Sequence, residues 1–155
     1  MTKRLLHGIL LSAAIAGCGA PTEPFDTLRL DLLLAPTTVV LGDTVWVTVR
    51  AQNTGGDTVT VESGGSGCLL GFEVFDGAGS QVFTVFCPQD VLEMHRLAPG
   101  EVRVRRLPWV GERSPWLGPP TIVPRGQYRV EGVLVARNPV RRTDSALLTL
   151  LASGL

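Results

Sequence analysis

Lysine is almost absent from this 155-residue chain: the one copy is Lys3, and every basic residue after Arg4 is an arginine. A Schiff base or a lysine-activated nucleophile is therefore excluded from the body of the protein. Histidine is nearly as scarce, with two copies, His7 and His95. A zinc site needs several His or Cys ligands at close spacing, and a Ser/His/Asp site needs a histidine near a nucleophile motif. Net charge is missing too. The 14 basic residues balance 14 acidic ones and charged residues make up only 18%, whereas a nucleic-acid binder carries a basic excess. Carboxylates do not cluster either: Asp43, Asp57, Asp76, Asp90 and Asp144 stand singly at turn positions, which turn formation explains without calcium. Gly64-Gly65-Ser66-Gly67 lacks the lysine and helix that make a phosphate loop. These absences lead to an expectation of no enzyme, no metal, no cofactor and no nucleic-acid partner.

What the chain does have begins with an export segment. Lys3 and Arg4 form a basic start, Leu5 to Ala16 is a short apolar run, and small residues follow before the composition turns to Pro, Thr and Glu. That order describes a secretory signal, and the apolar run is shorter than the ~20 residues a membrane span requires. Ala14-Ile15-Ala16 would release a soluble protein starting at Gly17. Ile15-Ala16-Gly17-Cys18 resembles the lipobox of bacterial lipoproteins, in which the cysteine is acylated and the chain is cut just before it. Cysteine parity favours the second reading: of the three cysteines, lipid on Cys18 leaves Cys68 and Cys87 to pair with nothing left over. The expected organisation is a signal over 1–17, a lipid-anchored tether over 18–26 and one domain over 27–155. Gly19 behind the lipid cysteine, in place of Asp, resembles the pattern sorted to outer membranes. The cell envelope, outer membrane before inner, is thus the expected location.

Hydrophobic residues are 45% of the chain, with 18 glycines and 11 prolines, a composition suited to short strands joined by turns. Period 2 runs through Leu28 to Leu34, Val45 to Gln52, Val59 with Val61, Val102 to Arg105, Tyr128 to Leu134 and Ala146 to Leu150. Asn53-Thr54-Gly55-Gly56 reads as a turn with Val59 and Val61 on the returning strand. In the middle hairpin, a two-residue tip at Gly77-Ala78 sets Phe72 opposite Phe83, Leu70 opposite Val85 and Cys68 opposite Cys87. Opposed residues lie about 4.5–5.5 Å apart at Cα, within reach of a disulfide. The expected fold is all-β: an immunoglobulin-like antiparallel β-sandwich of seven to eight strands. Tyr128, behind Pro124-Arg125-Gly126-Gln127, is a candidate tyrosine corner or simply a core aromatic.

Val49-x-x-x-Asn53-Thr54-Gly55, the Asp76-Gly77 hairpin, Leu97-Ala98-Pro99-Gly100-Glu101 and Pro124-x-Gly126-x-Tyr128 resemble, in order, the Bacillus-type intracellular proteinase inhibitor family. That resemblance spans about Thr38 to Val135 and implies an immunoglobulin-like sandwich, with inhibition as an implied activity. The export signal and the cysteine pair depart from the family.

Few side chains remain as candidates. His95, just before the Pro99-Gly100 turn, reads as a solvated loop residue. Arg103, Arg105 and Arg106, with Arg141 and Arg142, form either a basic patch for anionic lipid or glycan or an ordinary solvated face. Leu107 to Pro124 holds Trp109 and Trp116 among Pro108, Pro115, Pro119 and Pro120. A long, proline-stiffened connection with two tryptophans suits a binding surface, the plainer reading being that its rings plug the end of the sandwich. The expected function is a non-catalytic, lipid-anchored envelope module for binding or assembly. It would meet the membrane through its lipid and a protein or envelope glycan through Trp109 and Trp116. The alternative is a proteinase inhibitor presenting an exposed loop to an envelope protease.

Overall fold

A computed structural model describes residues 26–64, 68–87, 92–119, 121–136 and 141–152. The signal segment, Cys18, the tether before Asp26, Gly65 to Gly67 and Asp90 lie outside the described residues, as do the side chains of Arg141, Arg142 and Asp144.

Ten strands are described: β1 (Leu28–Ala35), β2 (Thr38–Val40), β3 (Val45–Asn53), β4 (Val59–Gly64), β5 (Leu70–Phe75), β6 (Gln81–Thr84), β7 (Leu92–Leu97), β8 (Val102–Trp109), β9 (Gly126–Leu134) and β10 (Arg141–Leu151). One layer has the order β1-β3-β8 and the other β2-β10-β9-β5-β6, with β4 and β7 forming a separate ribbon. The protein is an immunoglobulin-like β-sandwich. Its pairing is antiparallel except where β2 runs parallel to β10. The segments read as strands from their alternation are strands; β2 and β7 are additions to them, so ten strands are described where seven to eight were expected.

The alternation of β3 explains the core. Val45, Val47, Val49 and Ala51 are buried while Trp46, Thr48, Arg50 and Gln52 face outward. From the opposite layer β9 buries Tyr128, Val130, Gly132 and Leu134. At Gly132 the layers meet closely: a Cβ there would stand 3.0 Å from Val49 Cγ1 and 2.9 Å from Thr143 Cγ2, so only glycine fits without displacement. Asn53 closes β3 as a fully buried polar residue. Its Nδ2 donates to the carbonyls of Asp57 (2.7 Å) and Leu97 (2.9 Å), and its Oδ1 accepts from Gly55 N–H at 2.9 Å. Those bonds send the chain across to β7: Val59 pairs with Leu97 and Val61 with His95. The expectation that Val59 and Val61 return along β3 is therefore corrected; the neighbours of β3 are β1 and β8.

The middle hairpin forms in a different register from the one expected. Glu73 pairs with Thr84 and Val74 with Phe83, and Val85 N–H reaches the Phe72 carbonyl at 3.2 Å. The cause is the turn. Asp76 Oδ1 accepts from Ala78 N–H (3.0 Å) and Ser80 N–H (2.9 Å), and Gly79 takes φ 81°. This wider turn replaces the two-residue tip and moves the pairing by two residues. A shift of two keeps Phe72 and Phe83 on one face, so they still stack, now diagonally, at 5.1 Å and 24°.

That stack begins an aromatic chain through the core. Phe83 meets Trp109 at 6.0 Å, and Trp109 meets Tyr128 edge-on at 6.0 Å. Tyr128 Oη donates to the Pro124 carbonyl at 2.6 Å, which is the tyrosine corner. Trp109 is 2% exposed and its Nε1–H donates to the Glu112 carbonyl at 2.9 Å. The assignment of Trp109 to a binding surface is thus overturned: β8 carries it inward, opposite Val45. Trp109→Ala is expected to lower stability by about 3–5 kcal/mol, measurable by chemical unfolding. Trp116→Ala, at a half-exposed ring, should cost far less in the same assay.

Candidate functional site

The segment after β8 is fastened to the sheet edge by one residue. Ser114 is fully buried. Its N–H donates to the Val82 carbonyl (3.1 Å), its hydroxyl donates to the Thr84 carbonyl (2.9 Å), and its Oγ accepts from Thr84 N–H (2.9 Å). These bonds occupy the outer edge of β6 as a further strand would, which protects an edge otherwise open to pairing with another chain. Arg113 N–H to the Thr121 carbonyl (2.9 Å) and Val123 N–H to the Gly111 carbonyl (2.7 Å) tie the segment to itself.

Immediately beyond Ser114, Pro115–Leu117 make one 3-10 turn with proline at its start. The turn holds Trp116, 49% exposed, against Phe86, 63% exposed, with ring centroids 5.2 Å apart at 47°. The two rings border a cleft of about 350 Å³ whose lining includes Gly71, Glu73, Thr84, Val85, Cys87, Val133 and Val135. Gly71 and Val133 are register partners on β5 and β9. A Cβ on Gly71 would meet Val85 Cβ at 3.4 Å and Val135 Cγ2 at 3.5 Å, ordinary contact, so the missing side chain accounts for part of the hollow. Val133 is buried although it faces away from the core. Glu73 supplies the charged group among the described lining side chains.

One end of the cleft meets the cysteine pair. Cys68 and Cys87 are both present as thiols. Cys68 Sγ lies 3.7 Å from the Phe86 carbonyl, and Cys87 Sγ lies 3.9 Å from the Cys68 carbonyl. The expected direct opposition does not occur, because the register has moved, but the two residues remain neighbours beyond the end of β6. Arg105 reaches across from β8, donating to the Leu70 carbonyl at 2.7 Å and lying 3.7 Å from Cys68 Sγ. Burial pushes the Cys87 thiol up to about 12, reinforced by a hydrogen bond and charge from Cys68 and opposed by Arg105. The thiol wall of the cleft is therefore neutral near pH 7.

Other sequence candidates separate. Arg103 pairs with Glu101 at 2.7 Å, Arg105 turns inward, and Arg106 lies over the Trp46 ring at 4.3 Å, so these three do not share one basic patch. The placement of His95 on a solvated loop is corrected. It sits on β7 with its side chain 15% exposed, and its Nε2 is 2.9 Å from Ser63 Oγ. The apolar-looking Leu92 and Met94 face solvent instead, since pairing with β4 turns Glu93, His95 and Leu97 inward. Ser63, His95 and Glu93 do not form a charge-relay array: Glu93 Oε2 approaches the same Nε2, at 3.8 Å, leaving Nδ1 without that carboxylate. Ser63 Oγ also lies 3.0 Å from the Gly64 carbonyl, to which its hydroxyl donates. Phe86 and Glu73 were missed by sequence reasoning. Phe86 stands next to a cysteine like any strand-end aromatic, and nothing local announces that Trp116 will reach it.

Ser114→Ala removes both hydroxyl bonds and strands the Thr84 N–H and carbonyl. A loss of about 1–3 kcal/mol is expected, with greater aggregation from the uncovered β6 edge. Unfolding curves and light scattering check both, and Ser114→Thr should retain more of the stability than the alanine variant.

No family model and no curated protein matches the chain. Among solved structures, it is similar to alkylpurine DNA glycosylase from Pseudomonas fluorescens bound to DNA containing an abasic site analog (TM-score 0.54, 16% identity, 81% of this chain and 31% of that one). It is also similar to a β-glucosidase from Erythrobacter marinus (TM-score 0.50, 16% identity, 80% of this chain and 15% of that one). A CARDB domain from Pyrococcus furiosus in complex with di-metal ions matches at TM-score 0.49 and 15% identity, over 81% of this chain and 94% of that one. The chain thus spans less than a third of the length of the two enzymes. At these identities the likenesses to the two enzymes show a shared fold and nothing of its use.

Proposed function

We propose that the protein is a non-catalytic binding module of the bacterial cell envelope, anchored by lipid at Cys18, with Trp116 and Phe86 at its binding surface. The observation that carries this reading is the exposed aromatic pair over a preformed cleft. Exposed aromatics bordering a hollow are the usual anchors of recognition, because they bury large area with few rotors to freeze. Trp109 supports the site from behind rather than touching a partner. The inhibitor reading calls for an outward-offered loop. The segment between β8 and β9 is instead bonded down at Gly111, Arg113, Ser114 and Val123, which favours the cleft.

Anchoring and capture are tested together in a bacterial host. The full chain should fractionate with membranes and carry acyl mass, and Cys18→Ser should be soluble. Crosslinking in the intact envelope should yield an adduct that Trp116→Ala loses while keeping its thermal stability. Equal solubility of wild type and Cys18→Ser, or an adduct unaffected by Trp116→Ala, would remove the corresponding half of the reading.

The same location implies chemistry at Cys68 and Cys87. In an oxidising compartment, exchange with a protein or small-molecule disulfide would transfer two electrons from the pair and leave an intramolecular bond. It would close a loop 19 residues apart in sequence, worth about 3 kcal/mol in the chain-entropy model. Intact mass before and after reduction and alkylation is expected to show no free thiol at these positions in envelope-derived protein. Two freely alkylated thiols would refute the pairing.

A further inference from the structure

We infer that the outward face of β1, β3 and β8 lies on a membrane surface of anionic lipid headgroups. The inference goes beyond the proposed function and rests on its lipid anchor at Cys18.

Pairing aligns the outward, alternate positions of the three strands: Arg29 to Ala35 on β1, Trp46 to Gln52 on β3 and Val102 to Pro108 on β8. Charge on this face is one-sided. Arg29, Arg50 and Arg106 stand against a single carboxylate, Asp31, which Arg29 and Arg50 share at 2.9 and 3.3 Å. The chain behind Cys18 leans the other way: the 14 basic residues less Lys3 and Arg4 face 14 acidic ones. Among the arginines, Leu33, Trp46, Val102 and Val104 are exposed. Arg106 lies over the Trp46 ring at 4.3 Å, joining a cation to an exposed aromatic. Guanidinium, indole and aliphatic groups on one flat sheet suit the boundary of a bilayer. Headgroup phosphates answer the charge, and the apolar groups enter between them. A small soluble anion would answer the charge and leave the four apolar side chains in water.

The tether delivers this face to the lipid. Eight chain steps separate Cys18 from Asp26, a span of at most about 29 Å. β1 begins two residues later, is itself about 26 Å long and forms one border of the face. A bilayer holding Cys18 is thus about one strand length from the start of β1. So short a tether raises the effective concentration of a second contact to the millimolar range, where weak headgroup contacts are populated. The cleft belongs to the opposite outer face, where Gly71 and Val133 are partners. Docking by β1, β3 and β8 turns it away from the bilayer, open to a partner.

The test uses the full chain purified from host membranes, its acyl mass measured, in vesicles carrying a nitroxide on some headgroups. One set is phosphatidylcholine and the other phosphatidylcholine with phosphatidylglycerol. Tryptophan emission is compared with that in nitroxide-free vesicles. With phosphatidylglycerol, quenching is expected that Trp46→Phe removes and Trp116→Phe retains. Arg29→Gln and Arg106→Gln should each lower the docked-to-undocked ratio about fivefold, as should added salt by screening. Unchanged thermal unfolding certifies the fold of each variant. Equal quenching in phosphatidylcholine alone, or a ratio that both arginine variants leave unchanged, overturns the headgroup assignment. Quenching that belongs to Trp116 overturns the orientation. Shielding of Trp46 from acrylamide in detergent micelles, rising with protein concentration, assigns the face to a second copy of the chain instead. Acylated protein without quenching at Trp46 overturns this inference and leaves the anchored reading in place. Protein without acyl mass overturns the anchor and this inference together.

Discussion

A buried serine holds one face of this sandwich together. Ser114 bonds to both backbone groups of Thr84 and to the Val82 carbonyl, so a single residue takes the part of a strand along β6. Two consequences follow from the same bonds. The edge of the five-stranded sheet is satisfied, removing a template for pairing with other chains. The proline-started turn that follows has nowhere to go but across the sheet's outer face, which sets Trp116 beside Phe86. Edge protection and site construction are one interaction.

Behind that face, the core is organised to keep the segment's root still. The aromatic chain from Phe72 through Phe83 and Trp109 to Tyr128 links β5, β6, β8 and β9. Both ends of the 107–124 segment join it. Trp109 anchors its start and donates to Glu112, and Tyr128 reaches back to Pro124 at its end. A connection pinned at both ends and in the middle loses little entropy when a ligand arrives. Cys87 follows Phe86 in sequence, so a bond to Cys68 would stiffen the second wall of the cleft as well.

The hairpin and β8 show how alternation constrains a chain without finishing it. In the hairpin, the apolar face survives because the Asp76 turn moves the register by an even number of residues. In β8, Val102 and Val104 alternate with arginines as the pattern says, yet the valines face outward. Leu107 and Trp109, on the other parity, pair with Val47 and Val45 of β3, and burying them outweighs two valines. Arg105 is carried inward as a result and finds the Leu70 carbonyl. In β7 the same logic exposes Met94 and buries the ring of His95 against Ser63.

The sequence by itself determined the strand-rich sandwich and the inner faces of β3 and β9, and it offered the tyrosine corner as one of two readings of Tyr128. Each is legible because period-2 patterning and local turn chemistry are written within a few consecutive residues. Tertiary structure alone decided which parity of β7 and β8 points inward, which strand lies beside β4, and the register of the middle hairpin. It also separated Trp109 from Trp116, equivalent in local sequence and opposite in fate. The hairpin register follows from the bonds of the Asp76 turn; the other three share one physical reason. A period tells how side chains alternate but not which face meets the core, and that choice belongs to the partner strand, tens of residues away.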